Sequence, residues 1–352
     1  VKVDTTRMIP KEQVVVVVTN EGYIKKVPQR SYNTAKEEET TLKENDYVTG
    51  LYNITTTDTL LLFTNLGNYL YLPVYDIPEV KWKELGKHIS NIISLSPEEK
   101  VINSIPVYNF DEERYITSFT KNGMVKRTLL NEFKVQRYSK PIKMMNLKGT
   151  DEVISVTDST LSNVFIATSN GYGLWYDINE VPVVGIKAAG VKAISLKDDY
   201  VVSGILFDVA SEYLTILTDK GTAKRMRLTE LEKTSRAKRG ILLMKTIKSN
   251  PSKIIKAYII NSKNQIGIVS DDYSKIVKLT EISIMDRYSN GSYIIKDHII
   301  DSYIVSELIS KEDKEEVTEE IVVEKKQISL SEIDDKLSNI DRDIKINNID
   351  GN

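Results

Sequence analysis

The chain has 352 residues, 41% of them hydrophobic, with 48 Lys and Arg against 50 Asp and Glu. That is enough apolar content for a large core, while the lack of cysteine excludes disulfides, thiolate catalysis and thiolate metal sites. No signal peptide and no apolar run near the ~18 residues of a helical membrane span is found, which predicts a soluble, cytoplasmic protein with no membrane partner.

Along the chain, six short apolar runs each end in a polar turn and restart. They read VVVVVTNEGYIKK from Val14, LLLFTNLGNYLYL from Leu60, YITSFTKNGMVKR from Tyr115, VFIATSNGYGLWY from Val164, YLTILTDKGTAKR from Tyr213 and QIGIVSDDYSKIVK from Gln265. The turn position is Gly22, Gly67, Gly123, Gly171 and Gly221, with Tyr273 in the last copy, a period of 45 to 56 residues. Each run has the length and β-branched content of a strand, and each T-x-x-G tetrad has the polar residues and glycine of a hairpin turn. The last copy lacks the glycine, so a looser turn is expected there. A second glycine follows 19 residues after the first in three copies (Gly86, Gly190, Gly240), and Gly291 lies 18 after Tyr273. Another apolar run comes next, making about four strands per unit. Units of this size cannot bury their apolar faces alone and stack or circularise, so the pattern predicts an all-β disc of six propeller-like blades.

Charge is unevenly spread. From Lys311 to Asn352 there are 13 acidic and 7 basic residues, which leaves 41 basic against 37 acidic before them. At the third and fourth positions after the turn glycine stand Lys25 and Lys26, Lys126 and Arg127, and Lys224 and Arg225 in the first, third and fifth copies. The second and fourth copies have Leu70 and Tyr71, and Leu174 and Trp175. Strand neighbours face opposite sides, so one of each pair points to a given surface. In the fifth copy Arg225 and Arg227 share a face with Ala223, while Lys224 shares the other with Met226 and Leu228. The pattern favours Lys26, Arg127 and Arg225 as the more exposed set. Further basic residues lie in the connections: Arg30, Lys134, Arg137, Lys140, Arg236, Lys238 and Arg239. A lone basic pair is an ordinary solvated surface. Pairs recurring at one repeat position suit phosphate binding, where many modest charges along a path each displace counterions. No element looks built to read base edges.

Several segments carry a further likeness. EGYIKKVPQRSY, KWKELGKHISNIISL, KNGMVKRTLLNEFK, GIKAAGVKAISLK and RAKRGILLMKTIKSNP resemble the C-terminal domain of the DNA-cleaving A subunit of bacterial topoisomerase IV, most of all its Gram-positive form, and the related domain of gyrase. The likeness runs from about Met8 to about Ser306. It implies a β-pinwheel whose blades exchange strands, and a non-catalytic part that binds and bends duplex DNA around its rim. It also implies partners: the N-terminal breakage-reunion part of the same polypeptide, and the topoisomerase IV B subunit in a heterotetramer. The holoenzyme would be nucleoid-associated, with ATP and magnesium bound elsewhere and no cofactor in this fragment; Val1 in place of an initiating Met agrees with a fragment. Gyrase carries a glycine- and arginine-rich box after its first hairpin. Here residues 34 to 41 read TAKEEETT, acidic and without glycine, so the resemblance is to topoisomerase IV. Arg236-Ala237-Lys238-Arg239-Gly240 is a partial likeness to the box, but in the fifth unit.

No catalytic or metal site is expected. His88 and His298 lie far apart, Asp198-Asp199 and Asp271-Asp272 occupy turns, and Trp82 and Trp175 read as packing residues. The alternatives are a gyrase-like wrapping domain, a propeller that binds protein, or an enzyme with a polar central funnel. The predicted disc covers 1–308 and an acidic tail 309–352. In the tail the charge run from Lys311 predicts disorder. Ser331, Asp334, Ile333, Leu337, Ile340 and Ile344 predict a short helix over 331–346, either a solvated transient helix or a docking helix for the rest of the enzyme.

Overall fold

Each apolar run and its restart form an antiparallel hairpin in the computed structural model, which describes residues 9–314 and 333–344. The hairpins are Gln13–Thr19 with Tyr23–Pro28, Thr59–Thr64 with Asn68–Pro73, and Tyr115–Thr120 with Met124–Leu129. They continue as Asn163–Thr168 with Tyr172–Asp177, Tyr213–Thr218 with Thr222–Arg227, and Gln265–Val269 with Ser274–Lys278. The five turn glycines have φ between 78° and 97°, a region costly for a residue with a Cβ. The threonine opening the tetrad serves the turn as well: Thr19, Thr64, Thr120 and Thr168 accept a bond at Oγ1 from the backbone N–H four residues on. In the sixth copy Ser270 does this work without a glycine, accepting from Tyr273 N and donating to Tyr273 O.

A third strand follows and pairs with the first strand of its hairpin, for example Val48–Thr55 on Gln13–Thr19 and Val201–Phe207 on Asn163–Thr168. These third strands pack on one another from blade to blade and line a central polar opening with Thr49, Asn103, Ser155, Ser203, Lys256 and Asp301. The outer edge of each blade is completed by a two-residue strand lent by the segment after the next hairpin. Lys87–His88 pairs with blade one, Ile142–Lys143 with blade two, Val191–Lys192 with blade three, Ile241–Leu242 with blade four and Ser292–Tyr293 with blade five. The sixth blade has three strands among the described residues. The chain is therefore a six-bladed pinwheel with exchanged strands. Its ring closes between blades six and one. The Tyr47 ring stacks on Tyr303 at 3.6 Å, and the backbones of Leu51 and Asn53 bond to Ile309.

The hairpin strands of blades one to five are largely apolar on both faces because these blades are covered on both, whereas in blade six the strand Ser274–Lys278 is exposed at every residue but Val277. Val14, Val16 and Val18 face Leu60, Leu62 and Leu70 of blade two, while Leu61 and Phe63 face Ile116 and Phe133 of unit three. The free face of blade one, Val15, Val17 and Val27, is capped by Tyr32 of a short helix, Gln29–Ala35, and by Trp82. Each such fully buried side chain contributes roughly 1.5–3 kcal/mol.

The chain divides into two compact units, Val1–Ile309 and Ser310–Asn352. In the second, residues 311–314 form one helical turn where the charge run predicts disorder. Asp313 caps it by accepting a bond from Ser310 N at 2.6 Å. Residues 333–344 are helical, and Ile333, Leu337, Ile340 and Ile344 on them are each about half exposed. Ser331, the rest of the charge run (315–320) and residues 345–346 lie outside the described residues.

Candidate nucleic-acid interface

The repeat lets equivalent positions be compared blade by blade. At the third position after the turn, Lys25, Lys126 and Lys224 are 2%, 0% and 1% exposed. Lys126 Nζ donates to the carbonyls of Met144 (2.5 Å), Gly185 (3.2 Å) and Ile186 (2.8 Å). Lys224 Nζ donates to those of Leu243 (2.6 Å), Asp286 (2.9 Å), Arg287 (3.0 Å) and Ser289 (2.6 Å). Lys25 Nζ reaches the carbonyls of Trp82 and Glu84 and the Thr40 hydroxyl. Burial pushes all three amines down to about 8, opposed by Glu84 for Lys25, Glu132 for Lys126 and Asp286 for Lys224. The expectation that these three lysines contact DNA is thus corrected. At this position the second hairpin strand of blades one, three and five faces the exchanged segment, so the lysine there is spent on that segment rather than offered to solvent.

The fourth position is mixed. Lys26, expected on the surface, is only 9% exposed, and its Nζ donates to Tyr75 O at 2.9 Å. Arg127 and Arg225 are half-buried. Each donates from Nε to a carbonyl, Val181 and Ile282 respectively, and lies over a tyrosine ring, Tyr115 at 5.3 Å and Tyr213 at 4.9 Å. Held at Nε and stacked on a ring, these guanidiniums keep Nη groups with no hydrogen-bond partner among the described residues. Arg227 is exposed beside the same Tyr213 ring. Arg236 is half-buried and bridges Glu180 O and Lys192 O, so much of it is committed to holding its loop.

Arg30, Lys134, Arg137, Lys140, Lys238 and Arg239 are all exposed, with Arg239 over the Tyr172 ring at 4.3 Å. Apart from Arg30, on the helix of the first unit, they fall on two exchanged segments. Residues 130–152 close blade two and hold 5 basic and 3 acidic residues; residues 228–253 close blade four and hold 7 basic and 2 acidic. The other connections are neutral or acidic: 3 basic and 5 acidic over 29–47, 4 and 5 over 74–100, 3 and 3 over 178–200, 2 and 3 over 279–300. Reading basic residues beside the turns passes over Lys143, Lys148, Lys245 and Lys248, all exposed on the two basic segments. Charge counted between hairpins is the signal that finds them. On the acidic first segment Glu37, Glu38 and Glu39 are exposed, and Glu38 pairs with Lys83.

Among the described residues no group of three His, Asp or Glu could hold a metal, and no helix is long and apolar enough to cross a membrane. The two histidines each brace a hairpin turn, His88 Nε2 on Glu21 O and His298 Nδ1 on Asp219 O. Trp82 is buried with Nε1 donating to Glu38 O, and Trp175 packs on Phe207.

Comparison with known proteins agrees with this architecture. The family model for the DNA gyrase C-terminal domain, beta-propeller, matches residues 13–36, 58–107, 114–157, 162–207 and 212–261, taking in five of the six hairpins. The A subunit of DNA topoisomerase 4 from Bacillus subtilis (strain 168) is 41% identical over 300 residues, covering 84% of this chain and 37% of that protein. The Staphylococcus epidermidis protein of the same name is 36% identical over 299 residues, with the same coverage. The chain thus spans a little over a third of the length of these relatives. A crystal structure of the C-terminal domain of DNA topoisomerase IV superposes with a TM-score of 0.81 at 38% identity, over 90% of this chain and 99% of that one. The DNA gyrase A C-terminal domain shares the fold at a TM-score of 0.60 and 18% identity, over 84% of this chain and all of that one. With the match extending over more than half of its residues and five of its blades, the chain belongs to the DNA gyrase C-terminal domain family of β-propellers.

Proposed function

We propose that the disc is the non-catalytic DNA-binding and bending domain of the DNA-cleaving A subunit of a topoisomerase IV. In the holoenzyme, on the nucleoid in the cytoplasm, it would present duplex DNA to the breakage-reunion part of the same polypeptide. With the B subunit as the ATPase partner, that enzyme would decatenate and relax DNA. The observation that carries this reading is the concentration of exposed cations on two outer-edge segments, 130–152 and 228–253, on blades two and four. Blade three stands between them, so a duplex touching both patches follows a third of the ring's circumference and must bend. Bending a short site by 40–90° costs roughly 1–6 kcal/mol, which phosphate contacts at both patches would offset. Among the described residues the rim elements are two-residue strands and short connections rather than a helix that could enter a groove, so weak sequence preference and sensitivity to DNA stiffness follow.

The test is a gel shift of linear duplex across a range of salt. If about eight phosphates are neutralised, log K falls against log salt with a slope of roughly −7. Affinity unchanged between low and moderate salt overturns the reading and returns the disc to a protein-binding role.

A further inference from the structure

The position occupied by Lys25, Lys126 and Lys224 is taken in the even blades by Leu70, Leu174 and Ile276. In blades three and five the lysine coincides with a basic rim segment; Lys25 of blade one does not, since the segment after its hairpin, 29–47, is acidic, and its amine closes on Thr40, Trp82 and Glu84. After each outer strand the chain turns inward and the next blade packs against it. Where that next blade offers Leu70, Leu174 or Ile276, the segment in question is 74–100, 178–200 or 279–300, none with net positive charge. Where it offers Lys126 or Lys224, the segment is 130–152 or 228–253, the two basic ones.

We propose that Lys126 and Lys224 are positioning residues for the DNA grip, each tying a basic rim segment of the preceding blade to the exchanged segment of its own blade. This rests on the DNA-binding reading above and extends it to residues that touch no DNA. The geometry is the same in both. Lys126 holds Met144 O, one residue past the outer strand of blade two, together with Gly185 O and Ile186 O, which lead into the outer strand of blade three. Lys224 holds Leu243 O, one residue past the outer strand of blade four, together with Asp286, Arg287 and Ser289 carbonyls leading into the outer strand of blade five.

The need for such a tie follows from the fold. A segment crowded with like charges repels itself, and its paired strand is only two residues long. Ladder bonding there is short: beyond the two-residue pairing, Met144 N and Met145 N bond to Gly67 O and Leu243 N to Gly171 O, while Met144, Met145, Leu243 and Met244 are buried in the core. A buried ammonium with three or four carbonyl partners cannot be uncovered from one side only, because the segment that leaves abandons an under-bonded charge. The two exchanged segments are thereby held as a unit, and the cations stay at a fixed spacing around the rim.

The experiment uses the whole 352-residue chain with Lys126→Met, Lys224→Met and the double substitution. Three measurements are made on each: thermal melting, amide hydrogen exchange, and duplex affinity across salt. The expected result is a lower but still cooperative melting transition. Exchange protection should be lost selectively at 142–145 for Lys126→Met and at 241–244 for Lys224→Met. For the double substitution, the salt slope of binding should be shallower by about 2 as rim contacts loosen. A residue that merely stabilised the fold would lower melting and protection evenly and leave the slope intact, and that outcome overturns the proposal. If the methionine forms do not fold, nitrogen-15 spectra of the lysine ammonium groups decide on the unaltered chain. Tied ammonium protons exchange slowly enough to be seen at neutral pH, whereas exchange as fast as at surface lysines overturns the tie. Should the unaltered chain fail to bind duplex at all, the DNA reading falls while the protection pattern still judges the tie.

Discussion

Adjacent residues on a strand point to opposite faces, and in this disc the two faces of each second hairpin strand ask for different cations. Lysine ends in a compact ammonium that three or four converging carbonyls can surround, as around Lys126 and Lys224. Arginine is a flat fork that can give one N–H inward and stack on a ring while its other end faces water, as Arg127 and Arg225 do over Tyr115 and Tyr213. The buried lysines make stability depend on pH in a direction that can be worked out. Their folded values are near 8 against an ordinary 10.5, so between these values the unfolded chain binds more protons than the disc. Stability therefore rises with pH through that window and is flat, as far as these groups are concerned, below it. The buried tyrosines act oppositely at higher pH. Tyr52, pushed up to about 12, stays protonated in the fold while an unfolded tyrosine ionises near 10. Melting followed from pH 7 to about 9.5 should show the rise, and Lys224→Met should lose part of it; a flat or falling profile would contradict these lysine environments. Exposed cations behave differently. Arg137→Ala with Lys140→Ala, or Lys238→Ala with Arg239→Ala, should weaken duplex binding while changing stability by no more than ~0–1 kcal/mol per pair. Loss of cooperative melting in these variants would show that the exposed side chains carry structure.

At the scale of elements, the T-x-x-G hairpin is a local device, and its test is local. A Cβ on Gly221 would meet Asp297 O and Ile295 O at 2.5 Å with φ at +86°, so Gly221→Val meets both backbone strain and a clash. It should cost on the order of 2–4 kcal/mol, read as a fall in melting temperature. Gly149, at φ +60° with open space around it, is the control, and Gly149→Asn should be nearly neutral. Five of the six hairpins are legible in the sequence because the threonine, the glycine and the flanking β-branched runs all act within a dozen residues, and the sixth by its flanking runs and Ser270. The outer strands are not, since Ile142–Lys143 or Ile241–Leu242 has no periodicity to detect in two residues. The second glycine marks their place without giving its reason. Gly86, Gly190, Gly240 and Gly291 each pass so near the backbone of the accepting strand that a Cβ would lie 2.2 to 2.6 Å from a carbonyl oxygen. The basic pairs are visible, but which member is buried is not. That depends on a carbonyl cluster assembled from segments some 20 to 60 residues away, such as Met144 and Ile186 around Lys126.

For the whole disc, the order of charge around the ring would set how far a bound duplex could travel under the proposed function. The basic segments close blades two and four, with a neutral one on blade three between them. The segment on blade five is slightly acidic, and the first unit contributes residues 29–47 with 5 acidic and 3 basic. Glu37, Glu38 and Glu39 there are exposed, and the partner of Glu38, Lys83, lies in the next unit, leaving Glu37 and Glu39 with no ion-pair partner among the described residues. A phosphate brought to about 4 Å from either carboxylate meets a repulsion of about 1 kcal/mol in water, and more where protein lowers the dielectric. Glu37→Gln with Glu39→Gln should therefore tighten duplex binding at low salt and make no difference at high salt, where the screening length falls to a few ångströms. The same repulsion has a topological consequence. Winding DNA through a complete turn needs cations along the entire rim, including the junction of blades six and one. There the gyrase-type domain that the sequence otherwise resembles would offer a glycine- and arginine-rich box. On the proposed reading the basic segments end with blade four, so a duplex would bend over the third of the ring between blades two and four and leave. The parent enzyme should then relax and unlink DNA without adding negative supercoils. Reconstituting the full-length polypeptide with its ATPase partner, and supplying relaxed circular plasmid and ATP, tests this directly: the plasmid should remain relaxed. Accumulation of negatively supercoiled product would mean that the wrap is completed across the acidic junction, and would return the chain to a gyrase-like role.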